Sequence, residues 1–183
     1  MAPSYASHAT LAYMTLPSTV TIELDRIADA RAAYAVLERR VDEAEPWPLA
    51  DDFGTGPEAS WGPREVLAHV AEMLPFWLGE MERVVAGAPG PTPFGRTADD
   101  PLRLGMIERD RSLPLPVLFG RIEIGLRDWA ARIATLTDEE RNAIGSHPRL
   151  GEVTSSRFLE TFVLGHAEDH VAQLEAILAA RTD

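Results

Sequence analysis

Four long segments of this chain repeat apolar side chains at spacings of three and four residues, and the clusters of proline and glycine fall between them. That period, sustained over many turns, is the signature of amphipathic α-helices that each bury one face. The first segment runs from about Ile22 to Glu45, carries Leu24, Ile27, Tyr34, Leu37 and Val41 on one side, and stops at Pro46-Trp47-Pro48. The second begins near Trp61, where Gly62 suits the N-cap, Pro63 the first turn and Glu65 the position three residues beyond the cap. Its apolar face takes Val66, Val70, Met73, Trp77, Met81 and Val84, and it ends at Gly87. Pro75 inside it predicts a kink, because proline removes one backbone donor and crowds the carbonyl of Ala71. The third segment, from about Pro116 to Leu136, places Leu118, Ile122, Leu126, Trp129 and Ile133 in one stripe, and the fourth spans about Thr154 to Ala180.

Shorter helical signals occupy the connections. Asp100-Pro101 marks a helix start with an end near Arg111, and Thr137 with Glu140 forms a capping box. The run from Ser146 to Glu152 reads as a turn, and no alternating run of useful length predicts a strand. The expected fold is therefore all-α: a four-helix bundle, up-and-down or crossover, with additional short helices in its long connections. Residues 1–20 are a poorly patterned arm, and residues 21–183 form one domain.

Composition removes much chemistry. All 17 basic residues are arginine, so Schiff-base lysines and phosphate-loop lysines are excluded. The absence of cysteine excludes thiol nucleophiles, disulfides, iron–sulfur clusters and cysteine-ligated zinc. A net charge of −12 opposes binding to a phosphate backbone, so no nucleic-acid partner is expected. No segment approaches the ~20 apolar residues of a membrane span, and the N-terminus lacks a signal-peptide pattern, so no membrane partner and a cytoplasmic location are expected.

What remains is histidine. On the fourth helix His166 and His170 lie one turn apart in the centre of the apolar face, where a buried imidazole needs a partner. Each ring can satisfy itself with a neighbouring side chain or carbonyl, or the two can share a metal ion. His69, at the edge of the second helix's stripe and close to Met73, adds a third inward histidine out of five in the chain. Three histidines with an open fourth position are the donor set of a catalytic metal site. Of the others, His8 lies in the arm, and His147 before Pro148 is a loop anchor or a contact at the mouth of the site.

The stretches Trp61 to His69 (WGPREVLAH), His147 to Glu152 (HPRLGE) and Gly165 to Leu174 (GHAEDHVAQL) together resemble the DinB-like superfamily, over about Leu24 to Ala180. The superfamily includes bacterial thiol-dependent transferases and the mycothiol-dependent maleylpyruvate isomerase. The resemblance implies a bundle holding a divalent metal, zinc or nickel, on His69, His166 and His170, a low-molecular-weight thiol as cosubstrate, and a homodimer. Gly62 stands where these proteins often have serine or threonine, and Pro75 and the Gly/Pro-rich loop after the second helix also depart from the pattern. The expected function is a metal-dependent enzyme activating water or an external thiol for transfer to, or isomerisation of, a small electrophilic substrate. The alternative is a non-catalytic metal- or ligand-binding bundle. Glu65, Tyr34 and His147 are the candidate catalytic side chains, Glu65 and Tyr34 each with a structural alternative as dipole partner and core residue.

Overall fold

A computed structural model of the chain describes residues 18–182. His8 and most of the expected arm lie outside the described residues. The four long helices are α1 (Ser18–Glu43), α2 (Pro63–Ala86), α4 (Leu115–Ile133) and a final run made of α6 (Ser155–Leu159), a π-helical turn (Glu160–Leu164) and α7 (Gly165–Thr182). Between them lie the short helices α3 (Pro101–Asp110) and α5 (Asp138–Arg141). Helix starts obey the local chemistry of the sequence. Asp100 caps α3 through the Arg103 amide, and Thr137 and Glu140 form the expected reciprocal box at α5.

The bundle is of the crossover kind. Helix α1 packs on α4 and α7, and α2 packs on α4 and α7, so the sequential pair α1 and α2 sit diagonally. Cross-contacts give the directions. Arg26 pairs with Glu168 and Arg40 with Glu175, so α1 and α7 run the same way. The Trp129 indole donates to the Leu74 carbonyl, and Arg132 pairs with Glu82 further along, so α2 and α4 also run the same way. His69 meets His170 while Trp77 stacks on Phe162, so α2 and α7 are antiparallel. The connection holding α3 must therefore carry the chain back along the bundle before α4 begins.

Every residue of the predicted α2 and α4 stripes is buried, and Ile27, Tyr34, Leu37 and Val41 complete the core from α1. Helix α2 is buried beyond its stripe, with Leu67, Ala68, Ala71 and Leu74 also inside, because α3 and α4 cover its second face. It passes through Pro75 as one helix. A bidentate pair of Arg141 on Glu23, at 2.9 and 2.8 Å and buried at both ends, ties α5 to α1.

Two features differ from the sequence expectation. A three-stranded sheet occupies the connections: β1 (Thr92–Pro93) lies parallel to β2 (Ile144–His147), which forms a hairpin with β3 (Gly151–Thr154). Strands of two to four residues are too short to leave an alternating pattern, and the expected turn from Ser146 to Glu152 takes in the end of β2 and the start of β3. The fourth helix, expected to be continuous, contains the π turn, closed by the Gly165 amide on the Glu160 carbonyl. A single wide turn inserts one residue into the helical count without changing residue type.

Acid sensitivity follows from the rim of α3. Arg109 and Arg121 donate to the Asp110 carboxylate and hold its pKa below the usual carboxylate value. A carboxylate depressed on folding contributes stability above its unfolded pKa of about 3.9, and loses it as pH falls through the folded value. The urea midpoint is expected to drop as pH is lowered below about 4, and Asp110→Asn to flatten that part of the profile. An unchanged profile in the variant would remove Asp110 from the account.

Candidate metal centre

Helix α2 presents His69, and α7 presents His166 and His170 at its first and second turns. One ring nitrogen from each lies within 4.8 Å of the others, with His69 Nε2 3.3 Å from His166 Nε2. Two nitrogens on a tetrahedral ion with bonds of about 2.05 Å would stand about 3.3 Å apart. His69 and His170 are buried and His166 is partly so. The antiparallel packing of α2 against α7 makes the cluster, and the π turn just before Gly165 sets the rotation at which His166 and His170 enter it.

Electrostatics keep the three rings neutral. Burial is the largest cause for each. The Arg103 guanidinium and the neighbouring imidazoles add to it, holding His69 well below its ordinary pKa and His166 down to about 3. His170 is also lowered, against the opposing pull of Gln173 and Glu58. A neutral imidazole offers a lone pair, which is the form a metal requires.

The surrounding hydrogen bonds orient those lone pairs. His170 Nδ1 lies 2.9 Å from the Gln173 side-chain oxygen, and the Gln173 amide donates to the Glu58 carbonyl at 3.0 Å. The Gln173 oxygen accepts only, so the His170 proton sits on Nδ1 and the lone pair on Nε2. That Nε2 is buried and has no hydrogen-bond partner. A buried acceptor without a donor is costly, and a divalent cation at the cluster would satisfy it. Arg103 lies against His69, its Nη2 3.4 Å from both ring nitrogens, and is held by Glu58 at 2.8 Å and by the Ala98 carbonyl at 2.8 Å. Trp61 meets the His69 ring edge-on.

Glu65 is fully buried at the start of α2, where its carboxylate accepts from the amides of Gly62 and Ala50 and from Arg111, and it does not line the cavity at the histidines. The buried Tyr34 hydroxyl donates to the Ala167 carbonyl at 3.3 Å, and burial raises its pKa. His147 ends β2 and does line that cavity. Its Nδ1 accepts from the Arg149 and Leu150 amides, each at 3.3 Å. Burial lowers its pKa, partly opposed by the Arg96 carbonyl. Sequence reasoning passed over Gln173, Glu58, Arg96 and Arg103. Gln173 stands three residues from His170 on the same helix and was findable on a helical wheel. The others approach from separate elements and carried no local signal.

The family model described as the DinB superfamily matches residues 23–174. The chain belongs to the DinB superfamily. Its fold is similar to that of YfiT from Bacillus subtilis, a solved structure described as a probable metal-dependent hydrolase with an unusual four-helix bundle topology. The two share 16% sequence identity at a TM-score of 0.65, covering 92% of this chain and 91% of that one. No curated protein matches the chain. In this DinB-superfamily member Gln173 holds His170 of the candidate metal cluster from behind, so Gln173→Ala is expected to weaken metal binding by about 10–100-fold. Gln173→Glu, which keeps an acceptor on Nδ1, should retain most of it. Competition with a chromophoric chelator measures both, and equal affinity of the alanine variant and the parent would refute the orienting role.

Proposed function

We propose that the protein is a metal-dependent enzyme acting on a small electrophilic molecule, with zinc or nickel held by His69, His166 and His170. The observation that carries this reading is the partnerless, buried Nε2 of His170 in a cluster of three neutral imidazoles that opens on a cavity. Family membership and the description of YfiT support it. A divalent ion there would supply Lewis acidity, lowering the pKa of a water or thiol toward neutrality.

The chain's own residues do the rest. Gln173 keeps the His170 proton on Nδ1 and away from the open side. Arg103 and Glu58 brace His69 and neutralise one another beside it. Trp77 and Phe162, stacked at 4.5 Å, form an apolar wall that excludes water from one side of the cavity. With no cysteine or lysine in the chain, the nucleophile comes from solution, as water or a low-molecular-weight thiol.

The test is metal analysis of protein purified without a polyhistidine tag, followed by assay with thiol and electrophile pairs and with hydrolysable esters and amides. One equivalent of zinc or nickel per chain and a rate that disappears on chelation and returns with metal are expected. Less than a tenth of an equivalent after metal-replete purification would overturn the proposal. A loaded protein with no metal-dependent rate would leave a binding protein instead.

A further inference from the structure

The cavity of about 220 Å³ that His69 and His166 line has an electrostatic character opposite to that of the whole chain. The protein carries −12, yet the cavity's lining sets Arg96, Arg103 and Arg149 against one carboxylate, Glu58. Arg103 and Glu58 neutralise each other at 2.8 Å. Arg96 is paired in the same way with the buried Glu72 at 2.5 Å, which leaves Arg149 as the arginine of the lining without an ion pair among the described residues.

Those two arginines keep donors available. Glu72 binds Arg96 through Nη2 alone, and the Arg96 guanidinium is stacked 3.7 Å above the Phe76 ring, which fixes its plane and leaves Nη1 and Nε uncommitted among the described residues. The Arg149 side chain is exposed and makes no hydrogen bond or ion pair among the described residues. His147 supplies a third donor. Its Nδ1 accepts two backbone amides, so the proton lies on Nε2; this Nε2 is buried in a residue only 6% exposed, near the Arg96 carbonyl but with no acceptor in hydrogen-bond geometry. Gly95 makes room for that ring: at φ +83, a Cβ there would stand 2.4 Å from His147 Cδ2.

We propose that Arg149, Arg96 and the Nε2–H of His147 form an anion subsite that holds the carboxylate of a small acid beside the three histidines. The assignment rests on the function proposed above, since it names the substrate class of that site. Planar guanidinium donors match a carboxylate in two-pronged geometry. The volume lies below the roughly 300–1,000 Å³ of drug-sized pockets, so it suits a compact acid of a few carbons. The donors are side chains at the β2–β3 hairpin and the loop after β1, and the Arg103 amide at the nearby α3 start is already taken by Asp100. The start of α3 is thus not free to bind a phosphate.

Calorimetric titration of the full chain, metal-free and zinc-loaded, tests this with succinate, its neutral isostere succinamide and inorganic phosphate. Succinate is expected to bind both forms, at least about tenfold more tightly than succinamide or phosphate. Arg149→Gln should weaken succinate about tenfold and leave succinamide and zinc binding unchanged, while Arg149→Lys should restore part of the loss. Equal binding of succinate and succinamide, preference for phosphate, no succinate binding, or no effect of Arg149→Gln would each overturn the subsite. Expected succinate binding in a protein that takes up no zinc would overturn the metal-dependent function and leave the anion subsite standing.

Discussion

Replacing His166 and His170 together by alanine is expected to abolish stoichiometric metal binding in a protein that still folds. The variant removes two of three converging donors, a larger loss than the about 10–100-fold that a lost orienting partner costs. The thermal readout is as sharp. Metal at a thousand times its dissociation constant stabilises a folded protein by about 4 kcal/mol. For a chain of this size that is a rise of roughly 8–16 °C in Tm. The parent protein should show this rise on adding zinc to the chelated form, and the double variant should show none. The exposure of the cluster to the cavity lets alanine be accommodated with a small loss of packing. An equal rise in both proteins would mean that the metal binds elsewhere.

Glu65→Ala is expected to be the most destabilising single substitution near the site, although Glu65 touches no metal ligand through its side chain. Its carboxylate is fully buried and accepts at 3.2 Å from the Gly62 amide, at 3.0 Å from the Ala50 amide and at 3.0 Å from Arg111. Truncation leaves two amides and a largely buried guanidinium without their acceptor. Breaking such a buried pair from one side costs about 3–5 kcal/mol, or roughly 6–20 °C in Tm. The folded fraction should bind metal as the parent does, because His69 lies a turn beyond on a helix otherwise held by its core. A stable Glu65→Ala protein with lost activity would make Glu65 a reacting group and reverse this assignment.

Much of the helical content was open to reading. The stripes of α2 and α4 are buried residue for residue, and the caps at Gly62, Asp100 and Thr137 lie at the helix starts they predict. These are local effects, since helical periodicity and capping depend on residues within a turn of each other. The short strands left no pattern, and neither did the π turn, which depends on how the chain enters the packed bundle. His147 shows the limit well. Its neighbours in sequence suggest a turn, while its role follows from the β2–β3 register and from the room that Gly95 leaves, fifty-odd residues away in the chain.

Sequence alone determined that the chain forms amphipathic helices, that His69, His166 and His170 face inward on two of them, and that reactivity owes nothing to cysteine or lysine. Tertiary structure decided which helices are neighbours. With α1 and α2 on a diagonal, α2 lies antiparallel to α7, and the His69 ring comes within 4.8 Å of those of His166 and His170, the nearer of which is 97 residues away in the chain. It also brought Gln173, Glu58 and Arg103 behind the rings and three arginines around the cavity. The direction a side chain faces is set by the few residues around it. Its partner is set by the packing of whole helices, and that is a property of the folded core.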